Sequence, residues 1–273
     1  MEKRIAVIGG GLGRTAPLAP IDEVRSPGFT ATLVTPRLKV FPHTPYERGL
    51  SVIANLDAAI EAQKAGFDAI FINTVGDYGI DEMKSALTIP IVGAGEATMA
   101  VAATVGRKFS VVKIWPPRMN FITEERLRNG GAAARCVSVR NVLRDDEVVS
   151  TSGAVATMGT MQAGDQEIIE RTLEQVRLAV TEDGADTIVL GCTCMASIAP
   201  TIAARSSVTV LEPMRTGYTV VEMLLRLGIS QSRVAYPQTN PQQLGALDDM
   251  ISRMAHPNLS TDCDMCLVSE AAE

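Results

Sequence analysis

The chain of 273 residues is long enough to bury a substantial core in one large or two medium domains. Its 46% hydrophobic and 21% charged residues are typical of a globular protein, and its net charge of −6 argues against a polyanionic partner. Aromatic residues make up only 4% of the chain, which disfavours stacking on bases, so we expect no nucleic acid partner.

Short apolar runs alternate with helical patterns from residue 4 to residue 254. The runs predict strands at residues 4–8, 30–35, 68–72, 90–92, 109–114, 135–139, 187–190 and 208–211. Helices are expected at residues 47–65, 80–87, 96–105, 117–129, 165–183, 214–227 and 244–254. Between them, residues 140–164 are rich in Ser, Gly and Met and predict a linker-like segment. Its Met- and Gly-rich part, residues 153–164, is expected either to cover the cleft or to form a loop. This alternation predicts an α/β fold with parallel sheets covered on both faces.

A glycine-rich turn, Gly9 to Gly13, follows the first predicted strand. It matches a dinucleotide-binding fingerprint only loosely, because Pro17 and Pro20 interrupt the helix that should follow. No acidic residue stands at the expected distance either. The turn therefore indicates a place where backbone approaches a ligand, and no cofactor is predicted.

The chain has five cysteines, an odd number that argues against a disulfide scaffold. The first residues lack a signal-peptide cleavage pattern, so we expect a cytoplasmic protein with reduced thiols and no membrane segment. Cys263 and Cys266 lie in a polar stretch, 251–273, that predicts a flexible tail. Two distant histidines and scattered carboxylates indicate no metal site.

Cys192 stands where the buried run Thr187–Leu190 ends at Gly191. A small-residue segment with helical potential follows, which would place this thiol near a helix amino terminus. Backbone N–H groups and the helix dipole favour a thiolate there. Cys194, two residues on, is more typical of a packed small residue than of a second nucleophile.

An internal repeat relates Cys192 to Thr74. Residues 66–74 superimpose on residues 184–192 without a gap, with Gly, Asp and Ile coinciding, and the next strand begins at the same interval in both. Two such units facing each other would place Thr74 and Cys192 on opposite sides of a cleft at the strands' carboxyl ends. Groups on both faces of one carbon are the geometry of a cofactor-free racemase.

Several motifs in the right order resemble the aspartate/glutamate racemase superfamily and, within it, the hydantoin racemase-like branch. They are residues 190–195 (LGCTCM), 76–81 (GDYGID), 90–97 (PIVGAGEA) and 106–112 (GRKFSVV). The resemblance implies two α/β lobes related by a pseudo-twofold axis, with the active site between them, usually in a homo-oligomer. We assign residues 1–94 with 212–250 to the first lobe and residues 95–211 to the second.

This chain departs from the family pattern at two places. Family racemases generally use two cysteines; the second is Cys192, but the first falls on Thr74, and the family's Asn-Pro-Asn-Thr is replaced by residues 9–12 (GGGL). A threonine hydroxyl cannot rest as an alkoxide, but it can donate a hydrogen bond or relay a proton through water.

Three reactions stay open, and we rank them in the order given. The first is racemisation or epimerisation of an amino acid or derivative, hydantoin- or Asp/Glu-like, with Cys192 as base or acid and Thr74 opposite. The second is decarboxylation of a malonate-type acid, with Cys192 as proton donor. The third is cis–trans isomerisation of a maleate-type diacid. Two other classes also stay open: a small-molecule-binding regulator on this fold, and a redox protein that uses Cys192 with Cys194 or Cys263 with Cys266.

All three reactions form an enolate-like intermediate that needs hydrogen-bond donors. We expect backbone N–H groups and side chains around the two catalytic positions to bind a small carboxylic acid or hydantoin-like substrate. The predicted binding residues are Asn73, Val75, Thr193, Cys194, Gly10, Gly11, Lys113 and Trp115. Lys113 is expected either to pair with a carboxylate or to be solvated.

Overall fold

The computed structural model describes residues 2–9, 18–148 and 150–254. Its strands form two four-stranded sheets, with the order β2-β1-β3-β4 in the first and β6-β5-β7-β8 in the second, and every neighbouring pair is parallel. The predicted α/β fold with two lobes is confirmed. The strands are β1 (Lys3–Ile8), β2 (Phe29–Val34), β3 (Ala69–Ile72), β4 (Ile91–Gly93), β5 (Phe109–Lys113), β6 (Cys136–Asn141), β7 (Thr187–Leu190) and β8 (Thr209–Leu211).

Helices cover both faces of the sheets, and no helix in the described part of the chain is long and apolar enough to cross a membrane. Short 3₁₀ turns lie at Pro117–Met119, Ala133–Arg135 and Thr193–Met195. The helices are α1 (Ala19–Asp22), α2 (Pro45–Lys64), α3 (Ile80–Ala86), α4 (Ala94–Val105), α5 (Asn120–Asn129), α6 (Thr151–Gln162), α7 (Gln166–Thr181), α8 (Ala199–Arg205), α9 (Pro213–Leu227) and α10 (Pro241–Met254).

Helix α6 corrects the prediction of a linker-like segment over residues 140–164. The helix begins where the Ser150 side chain accepts a hydrogen bond from the N–H of Gly153. Its glycines lower intrinsic helix propensity, but Ala154 and Met161 are fully buried in the core of the second lobe. Burial of these small and flexible apolar side chains stabilises a helix that local propensity alone does not predict.

The two sheets repeat each other in detail, as the predicted duplication requires. In both, the strand register places the ends of the central strands level, with Ile8 opposite Ile72 and Val112 opposite Leu190. A carboxylate fixes the start of each central pair in the same way. Asp68 accepts the N–H of Arg4 at 2.8 Å, and Asp186 accepts the N–H of Arg107 at 2.9 Å. The residues that follow β3 and β7 therefore leave the sheets at equivalent positions.

Helix α9 returns the chain to the first sheet after β8. Tyr218 is fully buried with its ring edge-on to Phe71, 6.3 Å between centroids. Gly217 lets α9 approach closely, because a Cβ there would lie 2.6 Å from the Phe71 ring. This packing agrees with assigning the residues after 211 to the first lobe, and the lobe boundaries themselves stay a prediction.

Candidate active site

A cavity of about 610 Å³ lies where β3 and β7 end. Two segments form its centre: the first site loop, residues 73–77 after β3, and the second site loop, residues 191–194 after β7. Eight of the ten predicted site residues line this cavity, namely Asn73, Thr74, Val75, Lys113, Trp115, Cys192, Thr193 and Cys194. Gly10 and Gly11 lie outside the described residues, although their neighbour Gly9 also lines the cavity.

One hydrogen bond joins the two site loops directly. The hydroxyl of Thr193 donates to the carbonyl oxygen of Asn73 at 3.0 Å, between residues 120 positions apart. Both residues are buried, so water does not compete for this bond. Each partner is the immediate neighbour of a predicted catalytic residue. Thr74 and Cys192 are therefore brought to one place from opposite lobes.

Two polar atoms of the first site loop are buried without a hydrogen-bond partner among the described residues, Asn73 Oδ1 and Thr74 Oγ1. Buried polar atoms are almost always paired, because an unpaired one costs about 1–3 kcal/mol. Since both residues line the cavity, a ligand is the natural partner. This agrees with the hydrogen-bonding role predicted for them.

Asp77 anchors the first site loop, a role that the sequence analysis missed. Its backbone has φ +45°, the only positive φ outside glycine in the described residues, and its N–H donates to the Thr74 carbonyl at 3.2 Å. Its buried carboxylate accepts the N–H groups of Gly95 and Glu96, at 2.8 and 2.7 Å, at the start of α4. The carboxylate therefore ties the turn that carries Thr74 to the amino terminus of α4.

Glycines make this anchor sterically feasible. A Cβ on Gly93 would lie against the Asp77 carboxylate, and a Cβ on Gly95 would lie 2.1 Å from the Val75 carbonyl oxygen. Burial, with the nearby Glu96, raises the pKa of Asp77, while Arg126 and the two N–H donors act in the opposite direction and favour the carboxylate that accepts both bonds. Arg126 lies on α5 of the second lobe, with its Nε 3.8 Å from the carboxylate. The only signal in the sequence was that this aspartate is accompanied by a glycine at the end of β4 and another in the first turn of α4.

The structure around Cys192, in the second site loop, corrects two predictions. The element after it is a 3₁₀ turn of three residues, and α8 starts only at Ala199, so no long helix points at the sulfur. The 3₁₀ turn folds Cys194 back, so that its N–H donates to Cys192 Sγ at 3.2 Å and the two sulfurs form a disulfide. Cys194 is therefore the direct partner of Cys192 and not merely a packed neighbour.

Lys113 supports the second site loop from β5. Its side chain is only 2% exposed, and Nζ donates to the Met119 carbonyl at 2.9 Å and to the Thr123 hydroxyl at 3.2 Å. Both acceptors are neutral and the side chain is buried, so the expected solvation is wrong, while pairing with a substrate carboxylate stays a prediction. Burial lowers the pKa of this amine to about 7. A Cβ on Gly191 would lie 2.4 Å from Lys113 Cβ, so the loop rests on the lysine stem.

An apolar wall, largely missed by the sequence analysis, closes the rest of the cavity. Trp115 was predicted, but the Phe41 ring that packs edge-on against it, 4.9 Å between centroids, comes from the loop before α2. The other members are Tyr78, Met119, Ile122 and Met158. Met158 lies on α6, so this helix covers part of the cleft. Covering the cleft is one of the two roles predicted for this segment. No local pattern marks these residues, since they come from four separate parts of the chain.

Comparisons with known proteins agree on one family. The model of the family described as Asp/Glu/Hydantoin racemase matches residues 24–221. A hydantoin racemase from Paenarthrobacter aurescens is 31% identical over 168 residues, covering 61% of this chain and 65% of the relative. Another from Rhizobium meliloti is 28% identical over 195 residues, covering 70% and 76%. The crystal structure of allantoin racemase from Pseudomonas fluorescens is similar with a TM-score of 0.74, 27% identity and coverage of 87% of this chain and 97% of that one.

Proposed function

The chain belongs to the Asp/Glu/hydantoin racemase family, a family of isomerases, and from that premise we propose that it racemises a hydantoin-like cyclic amide without a cofactor. The observation that carries the proposal is the hydrogen bond from Thr193 to the Asn73 carbonyl. It holds the Thr74 and Cys192 positions at one cavity, on loops from opposite lobes. That is the arrangement needed to remove a proton from one face of a carbon and return one to the other.

In the reduced enzyme, the Cys192 thiolate takes the proton from the carbon between the ring carbonyl and the ring nitrogen. The Cys194 N–H that points at Cys192 Sγ favours the thiolate, because a hydrogen bond to a charged form lowers its pKa. The negative charge moves to the carbonyl oxygen, where the N–H groups of Val75 and Thr193 are the proposed donors. Because the substrate's own carbonyl holds this charge, no cofactor is required.

Thr74 serves the opposite face as a weaker partner. Its hydroxyl is buried and lacks a partner among the described residues, so it is free to bond a water that exchanges a proton with the substrate. A hydroxyl cannot store the proton as a thiol can. One face of the substrate is therefore served by Cys192 and the other by a hydroxyl-bound water.

The wall of the cavity favours an uncharged substrate over aspartate or glutamate. Its main surface is apolar, and the two basic residues of its described lining are largely occupied. Lys113 donates to neutral acceptors, and Arg215 is ion-paired with Glu23 at 2.6 Å. Among the described residues, a second substrate carboxylate would be buried without a dedicated partner, which is costly. A neutral ring with an apolar substituent matches the wall formed by Phe41, Trp115 and their neighbours.

The proposal includes a setting in which Cys192 stays reduced, as the cytoplasm provides. It also includes a homo-oligomer, which the family resemblance implies.

The proposal is tested by solvent deuterium exchange followed by NMR, with a reductant present. The substrates are 5-benzylhydantoin, allantoin, aspartate, glutamate and phenylmalonate, each with an enzyme-free blank for spontaneous exchange. We expect exchange at the ring carbon of 5-benzylhydantoin together with loss of optical rotation, and none for aspartate or glutamate. Release of CO₂ from phenylmalonate would assign a decarboxylase instead. Fully reduced protein that exchanges none of the substrates would refute the racemase proposal.

A further inference from the structure

We propose that Cys192 and Cys194 form a reversible oxidation site, in which a peroxide converts the pair to a disulfide and removes the catalytic thiol. The inference rests on the proposed function of Cys192. Its starting point is the disulfide between these residues, whose Cα atoms lie 5.1 Å apart, within the usual range for such a bond. The structure thus contains the pair in the state that cannot take up a substrate proton.

The surrounding structure allows oxidation without moving the lobes. The disulfide and the hydrogen bond from Thr193 to the Asn73 carbonyl are present together, so the site loops stay joined in the oxidised state. Both cysteines line the cavity, where a molecule as small as hydrogen peroxide has access. The switch is therefore local to the second site loop and needs no unfolding.

The chemistry balances with hydrogen peroxide as the oxidant. The Cys192 thiolate attacks one peroxide oxygen, the O–O bond breaks, and a sulfenic acid and hydroxide form. The Cys194 sulfur then attacks the sulfenic sulfur, its proton leaves with the departing oxygen as water, and the S–S bond forms. A dithiol reductant returns two electrons and two protons and restores both thiols. Cys194 thereby keeps Cys192 from advancing to the irreversible sulfinic acid.

The remaining described thiol does not compete. Burial raises the pKa of Cys136 to about 11, and its Sγ donates to the Ser138 carbonyl at 3.3 Å, so almost none of it is thiolate. Cys136 also lies outside the cavity lining. It therefore supplies a matched control for the same Cys→Ser substitution away from the site.

The test treats reduced, full-length protein with hydrogen peroxide, blocks free thiols with N-ethylmaleimide and digests with trypsin. The peptide of residues 178–205 contains Cys192 and Cys194 and no other cysteine. We expect this peptide to lose two hydrogens, about 2 Da, and to take up no blocking reagent. Oxygen added to Met195 shifts the mass the other way and is resolved separately. Racemase activity should fall together with the mass change, and dithiothreitol should restore both.

Two cysteine variants show whether Cys194 protects Cys192. The activity of each variant after peroxide treatment is compared with the activity of the same variant in its reduced form. With peroxide in enough excess to carry an unresolved sulfenic acid on to the sulfinic acid, Cys194→Ser should lose activity that dithiothreitol does not restore, whereas Cys136→Ser should recover as the unmodified chain does. The oxidation site is refuted if peptide 178–205 keeps two blockable thiols, or if Cys194→Ser recovers equally well. If the disulfide forms fully while activity persists, the oxidation site stands but the role proposed for Cys192 is wrong.

Discussion

The two site loops occupy equivalent places in duplicated sheets, yet they differ in what holds them and in what they offer a substrate. The first, residues 73–77, is fixed by the buried Asp77 carboxylate on the start of α4. The second, residues 191–194, rests on the stem of the buried Lys113 and ends in a tight 3₁₀ turn. The first presents a hydroxyl, and the second presents a thiol once its disulfide is reduced. The two sheets share one geometry while the groups that follow their central strands differ, so in the proposed reaction one face of the substrate meets a strong base and the other a weak one.

The largest expected difference between the loops is at the catalytic positions. In the reduced enzyme, Cys192→Ala should lower the rate of solvent deuterium incorporation by about 10²–10⁴-fold, the usual contribution of a general acid–base group. Cys192→Ser is the matched control for shape and should fall almost as far, since a hydroxyl is a much weaker acid. A loss below tenfold for both variants would show that Cys192 is not the dominant base.

The pH dependence of the free energy of unfolding tests whether the buried Lys113 supports the second loop. With a pKa of about 7 folded and an ordinary pKa near 10.5 unfolded, the unfolded chain alone binds this proton between those values. Stability conferred through this group is therefore gained as pH rises above 7 and lost as pH falls through 7. Relative to Lys113→Met, the free energy of unfolding should rise by up to about 1.4 kcal/mol per pH unit between pH 7 and 10.

Urea titrations from pH 5 to pH 10 measure the free energy of unfolding of the unmodified chain and of Lys113→Met. The difference between the two should not change with pH below about pH 6. Lys39→Met, at an exposed position, is the matched control. Parallel curves for the unmodified chain and Lys113→Met would contradict a buried, neutral amine beneath the second loop.

The stability of Asp77→Asn tests whether the Asp77 carboxylate supports the first loop. Asp77→Asn keeps the shape but replaces one acceptor oxygen with an NH₂ group, leaving one N–H at the start of α4 unpaired. The free energy of unfolding should fall by about 2 kcal/mol. Asp81→Asn, on the exposed side of α3, should change it by no more than about 0.5 kcal/mol.

The activity of double variants distinguishes a role of Asp77 in positioning Thr74 from a role in stability alone. If Asp77 positions Thr74, Asp77→Asn should lower kcat in the unmodified chain but have little further effect in a Thr74→Val background. Equal losses in both backgrounds would show that the anchor does not act through Thr74.

The smallest expected effects are at Thr74 itself. Thr74→Val removes the hydroxyl and keeps the shape, and should slow racemisation about tenfold, the equivalent of one hydrogen bond. Thr74→Cys makes the two loops chemically equal and should raise racemisation above that of the unmodified chain. Polarimetry with both enantiomers measures each. A Thr74→Cys rate as low as that of Thr74→Val would show that the two positions do not face one carbon.

Much of this molecule could be predicted from the sequence because the relevant signals are local. Short apolar runs indicated the eight strands within a few residues, and the equal spacing of Asp68 from Thr74 and of Asp186 from Cys192 indicated the duplication. Since parallel strands place their carboxyl ends at one edge, the residues that follow them were assigned to one site, and those described do line one cavity.

The sequence by itself determined where the strands lie along the chain and which side chain follows each strand, because both depend on neighbouring residues. Only the tertiary structure decided how those groups are held. The bond from Thr193 to Asn73, the Asp77 anchor on α4, the burial of Lys113 and the apolar wall from Phe41 to Met158 all join distant parts of the chain. Such contacts arise from packing of whole elements and leave no periodic pattern to read. Even Cys192 and Cys194, only two residues apart in the sequence, are joined through a 3₁₀ turn that the sequence pattern did not predict.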